Sequence, residues 1–143
     1  MEINITIKLD EDVVNILKEK ESEGKSTKDY PVSMYARVFD SKSALWCKDS
    51  EHNLMFLYHV KDHLNNVLKK RGYVFLNEAY EALGLPKTTA GQIVGWRYME
   101  ENPNGDNFID FGVYEDYNSE FVNGYKTTCI LDFNVDGEIL SAL

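Results

Sequence analysis

The feature that most constrains this chain is a long amphipathic segment with a clear stop. Leu54, Leu57, Lys61, Leu64 and Leu68 recur at three- and four-residue spacing, and Phe56, Val60 and Val67 widen the stripe. That period belongs to a helix with one buried face. Lys69, Lys70 and Arg71 stand where a helix dipole favours cations, and Gly72 supplies the left-handed residue that ends a helix. A helix over about 52–70 must therefore lie against something apolar, and the text on both sides of it is β-like.

Before it, Ile3, Ile5, Ile7 and Leu9 alternate with polar residues, the pattern of a half-buried strand. Asp10 is a candidate N-cap for a helix at about 11–22, with Glu11 and Asp12 in its first turn. Val32, Met34, Val38 and Phe39 read as a strand, Leu45 and Trp46 as another, with Asp40-Ser41-Lys42-Ser43 as the turn between them. After it, Tyr73–Leu76 is a short strand, and Asn77 can cap a helix at about 77–83 that Gly84 and Pro86 close. Ile93–Met99, Phe108–Tyr114, Phe121–Tyr125 and Thr127–Phe133 are candidate strands, and Asn123-Gly124 is the strongest hairpin signal. The expectation is an α+β fold with a mostly antiparallel sheet, in one domain over 1–143. Residues 1–50 would form its strand–helix–hairpin part and 51–143 the long helix with a hairpin-rich β part.

The 143 residues are enough for one core without disulfides. Cys47 and Cys129 form no metal or redox spacing and read as reduced thiols. The N-terminus has no signal-peptide pattern, and no apolar run is long enough for a membrane span. We expect a cytoplasmic protein.

Charge is unevenly placed. Residues 1–71 carry 12 basic and 12 acidic side chains; residues 72–143 carry 3 basic and 12 acidic, which accounts for the net charge of −9. Between Arg97 and Lys126 there is no Lys or Arg but seven acids: Glu100, Glu101, Asp106, Asp110, Glu115, Asp116 and Glu120. Such a stretch repels nucleic acid and anionic membranes and suits a basic partner or a cation.

Candidate chemistry is thin. His59 and His63, one helical turn apart, could chelate a metal, while His52 stands about 10 Å away along the axis. His59-Val60-Lys61-Asp62-His63 lacks the glutamate of a zincin motif, so solvated helix-face histidines are the better reading. Asp132, Asn134 and Asp136 followed by Gly137 match the opening of a calcium loop, but position 12 is Leu143, and a strand running into an Asp-Gly turn fits better. Asp110, Glu115, Asp116 and Glu120 with Lys126 lack nuclease spacing. Gly91 and Gly95 match no nucleotide loop and read as a turn and a close strand approach. No cofactor and no catalytic residue is expected.

Several runs carry a family resemblance: Gly72-Tyr73-Val74-Phe75-Leu76-Asn77-Glu78, Gly84-Leu85-Pro86, Ala90 to Trp96, Asn102 to Gly112, Phe121-Val122-Asn123-Gly124, and Ile130 to Gly137. Over these the chain resembles an uncharacterised domain family of low-GC Gram-positive bacteria and their phages. The resemblance covers about half the chain, brings no catalytic residues, and implies a phage or mobile-element accessory protein. With the charge pattern, it leads to a non-enzymatic protein whose 98–122 surface binds a basic host protein, such as a nucleic-acid-binding defence factor. The alternatives are a virion assembly protein, self-associating through Tyr114, Tyr117, Phe121 and Tyr125, or a small metal-binding protein.

Overall fold

The computed structural model describes residues 9–22 and 32–143, so nearly all of the strand expected at 3–9 lies outside the described residues. Asp10 is an N-cap: its Oδ1 accepts from the N–H of Asp12 (3.1 Å) and Val13 (3.3 Å) and starts α1, Glu11–Ser22. A three-residue strand follows, β1, Arg37–Phe39. The turn expected at 40–43 forms, with Asp40 O accepting from Ser43 N (2.8 Å), but no strand follows it. Trp46 instead spends its indole N–H on Thr127 O (2.7 Å).

Helix α2, Ser50–Arg71, is the long helix expected. Asp49 caps it by accepting from the N–H of Glu51 and His52, and Gly72 ends it at φ 92°. Strand β2, Tyr73–Phe75, runs directly into α3, Leu76–Ala82. Asn77 is not the cap of α3. The Glu78 carboxylate accepts from Phe75 N–H (2.8 Å), while Asn77 clamps Thr88, donating to its carbonyl and accepting from its N–H (2.9 Å each). The chain continues through β3, Val94–Arg97, α4, Ser119–Val122, β4, Cys129–Leu131, and β5, Gly137–Glu138.

The strands form two small antiparallel sheets. In one, β1 pairs with β4, Val38 opposite Ile130; in the other, β3 lies between β2 and β5, with Val74 opposite Trp96 and Gly95 opposite Gly137. A Cβ on Gly95 would collide with the Val74 carbonyl, which accounts for the glycine at this close strand approach. The α+β class is thus as expected, with shorter strands and more irregular backbone.

Two candidate strands fail. Phe108–Tyr114 is irregular, tied to the segment after β4 by Asp132 N donating to Phe111 O (2.9 Å). Phe121–Tyr125 begins in α4, and Asn123-Gly124 is no hairpin. Gly124, at φ 83°, closes the helix, and Tyr125 N–H donates to Glu120 O (2.8 Å). A left-handed residue ends a helix as readily as it turns a hairpin, so Asn-Gly alone does not choose. The aromatic residues that imitated strands are core anchors: Phe111 and Phe121 are buried with Trp96, Tyr80 and Phe39. Helix α2 contributes Leu57, Leu64 and Leu68 to this core, and a smaller one gathers Val13 of α1, Ala36, Val38 of β1, Tyr117 and Ile130 of β4.

Candidate docking surface

The long stretch from 98 to 118, irregular up to a short helical turn at Asp116–Asn118, is held by asparagines. Asn134 Oδ1 accepts from Trp96 Nε1 (2.9 Å) and Asp110 N–H (2.7 Å). Its Nδ2 donates to Phe108 O (3.0 Å) and to Asp106 Oδ2 (3.2 Å). Asn107, at φ 60°, donates to Met99 O (2.7 Å). Asn102 donates to Arg97 O (3.0 Å) and Asp136 Oδ2 (3.2 Å). From α2, Asn65 donates to Ile109 O (3.0 Å) and accepts from Ile109 N–H (2.8 Å). Buried Asn118 joins Gly112 O to both backbone groups of Ile130. Asparagine suits this work because one amide supplies both a donor and an acceptor to an unpaired backbone.

The seven acids ride on this stretch, and the structure divides them. Glu100, Glu101, Asp106, Glu115 and Asp116 are exposed; Asp110 and Glu120 are half-buried. The run without a cation in sequence is not without cations in space: Lys61 Nζ stands 3.9 Å from Asp110, and Lys126 Nζ 3.2 Å from Glu120. Among the described residues no ion pair reaches the other five. Behind the surface, burial raises the Tyr117 phenol well above its ordinary value, and Asp132, Glu115 and Asp110 add to the effect. Burial likewise raises the Asp136 carboxyl, against the opposing hydrogen bonds from Arg97 N–H and Asn102. Its Oδ1 is buried without a hydrogen-bond partner.

The metal candidates do not converge. His59 and His63 are exposed on α2, His59 edge-on to the Tyr58 ring at 5.7 Å. Asp132 accepts from Ser33 N–H (3.0 Å) and Oγ (2.6 Å), Asn134 from Trp96, and Asp136 from Arg97, so the three would-be calcium ligands serve three separate latches. Among the described residues no cluster of three His, Cys, Asp or Glu side chains is placed to hold an ion. Of the aromatics expected at an interface, Tyr117 and Phe121 are buried, while Tyr114 (70% exposed) and Tyr125 (82%) stand out into solvent. Sequence reasoning missed Tyr58, which is 56% exposed and lines one shallow groove with Tyr114 and Lys61. The signal was present as Glu51, Met55, Tyr58 and Asp62, a polar-flanked stripe on the solvent side of the helix.

Fold and surface together define a class: a small α+β protein that presents acidic loops on a hydrogen-bonded asparagine scaffold. A family model described as a family of unknown function (DUF6353) matches residues 3–143, and the chain belongs to that family. The match reaches well upstream of Gly72, where the resemblance carried by the sequence motifs began. No curated protein and no solved structure is significantly similar. Among the described residues no helix is long and apolar enough to cross a membrane.

Proposed function

We propose that this protein is a non-enzymatic binding module that docks its acidic loops onto a basic surface of another protein. The observation that carries the reading is the set of five exposed acids, Glu100, Glu101, Asp106, Glu115 and Asp116, which no ion pair among the described residues reaches, on a backbone that side chains hold in place. An exposed charge in water contributes little to stability. Several of one sign steer a partner of the opposite sign and set its orientation. A preformed loop loses less conformational freedom on binding than a floppy one. The reading extends to context: an accessory protein of a phage or mobile element, acting in the host cytoplasm on a nucleic-acid-binding defence protein, whose own substrate site is basic.

Capture from host lysate with immobilised wild-type chain, beside a variant carrying Gln or Asn at the five acids, tests this. A basic protein retained by the wild type, released by rising salt and not retained by the variant is the expected result. Retention indifferent to both salt and substitution, or no basic protein at all, contradicts it.

A further inference from the structure

The acidic stretch also exposes Tyr98 and Phe108, but the groove between α2 and residues 111–114 brings two tyrosines together. Tyr58 and Tyr114 both line it, and Met55 (52% exposed) lies on the same helical stripe one turn before Tyr58. The stripe continues to Glu51 on one side and Asp62 on the other, at spacings of four, three and four residues. Glu115 and Asp116 follow Tyr114 directly. Glu51, Asp62, Glu115 and Asp116 are exposed, and among the described residues none has an ion pair. The one cation in the groove, Lys61, stands 3.9 Å from Asp110. Exposed apolar faces rimmed by charge of one sign mark contact sites for partners of the other sign.

A tyrosine face with carboxylates beside it is chemistry for a guanidinium. The planar cation stacks on the ring while its N–H groups reach carboxylate oxygens; an ammonium is more strongly hydrated and has no plane to stack. The protein uses this pairing internally. Arg71 lies over the Tyr73 ring at 4.4 Å with Glu78 as its carboxylate partner at 2.5 Å, and Arg37 lies over Tyr80 at 5.5 Å.

We infer that the Tyr58–Tyr114 groove takes an arginine-bearing segment of the basic protein partner. The inference rests on the docking reading above and narrows it to one part of the surface. The test is a calorimetric titration of the full chain with two synthetic peptides of equal charge, alternating arginine–glycine and alternating lysine–glycine, at moderate salt. The arginine peptide binds more tightly, and Tyr58→Ala and Tyr114→Ala each weaken it about two- to fivefold. Tyr125→Ala, still more exposed but outside the groove, leaves binding unchanged. Equal affinity for both peptides, or indifference to both tyrosine substitutions, overturns the groove assignment. If binding in that case still falls with Gln or Asn at the five acids, the docking reading survives without the groove. No binding of either peptide removes both. Concentration-dependent self-association abolished by Tyr114→Ala would give the groove to a second copy of the chain and also overturn the inference.

Discussion

Asn134 shows how much a single amide does here. Replacing it by alanine strips partners from Trp96 Nε1 and Asp110 N–H at once. Each buried donor left unsatisfied costs on the order of 1–3 kcal/mol, so Asn134→Ala should lower unfolding free energy by about 3 kcal/mol in a urea melt. Asp106→Asn, which keeps an acceptor on an exposed side chain, should change little. Asp136 makes a pH-dependent counterpart. Burial raises its carboxyl above the ordinary 3.8, so the contribution of this group to stability is complete below that value and is lost as pH rises through the higher folded one. The stability of the wild type relative to Asp136→Asn should therefore improve as pH is taken down from neutral through the acid range. A difference that falls on acidification would contradict the burial argument. The thiols divide as their surroundings require: Cys47 is half-buried, whereas Cys129 is buried and its thiol is pushed far up by desolvation. A thiol reagent should label Cys47 in the native protein and Cys129 only on unfolding. None of the asparagine latches was legible beforehand. In sequence Asn134 reads as a calcium-loop position, because the same amide oxygen that could meet a cation also accepts from distant N–H groups.

At the scale of elements, α1, α2 and α3 were readable and β1 to β4 fell within expected strands, whereas α4 was missed and two segments that looked like strands are not strands, for one reason. A helix satisfies its own backbone and carries its signals locally: Asp10 before α1, Asp49 before α2 and the Lys69-Lys70-Arg71-Gly72 stop all act where they stand. A strand needs a partner from elsewhere in the chain, and Phe108–Tyr114 and Phe121–Tyr125 had aromatic side chains but no ladder to join. Two glycines separate the kinds of constraint involved. Gly72 has a left-handed backbone and open space around it, so Gly72→Ala should cost about 1 kcal/mol, the strain of that backbone alone. Gly95 sits against the Val74 carbonyl, so Gly95→Ala must push β2 and β3 apart and should cost clearly more. Chemical denaturation of the two variants side by side checks the order; equal losses would mean that the strand contact is not tight.

For the whole molecule, the uneven charge was visible in the sequence, but its arrangement was not. Lys61 and Lys126 reach Asp110 and Glu120 because α2 and the chain after α4 fold back on the acidic stretch, and among the described residues no ion pair reaches the other five acids. Excess charge of one sign disfavours a compact state at low ionic strength. Replacing Glu100, Glu101, Asp106, Glu115 and Asp116 by Gln or Asn should raise stability at low ionic strength, and salt should erase the gain, since screening shortens to about 3 Å at 1 M. A surface kept at a cost to folding is what a docking surface would look like. The measurement that tests this most directly is an amide-resolved NMR titration of the protein with the arginine–glycine peptide. Shifts gathered at 98–120 and on the Met55–Tyr58 flank of α2, fading with added salt, are what the account predicts. Shifts scattered over the whole surface, or centred away from these loops, would contradict it.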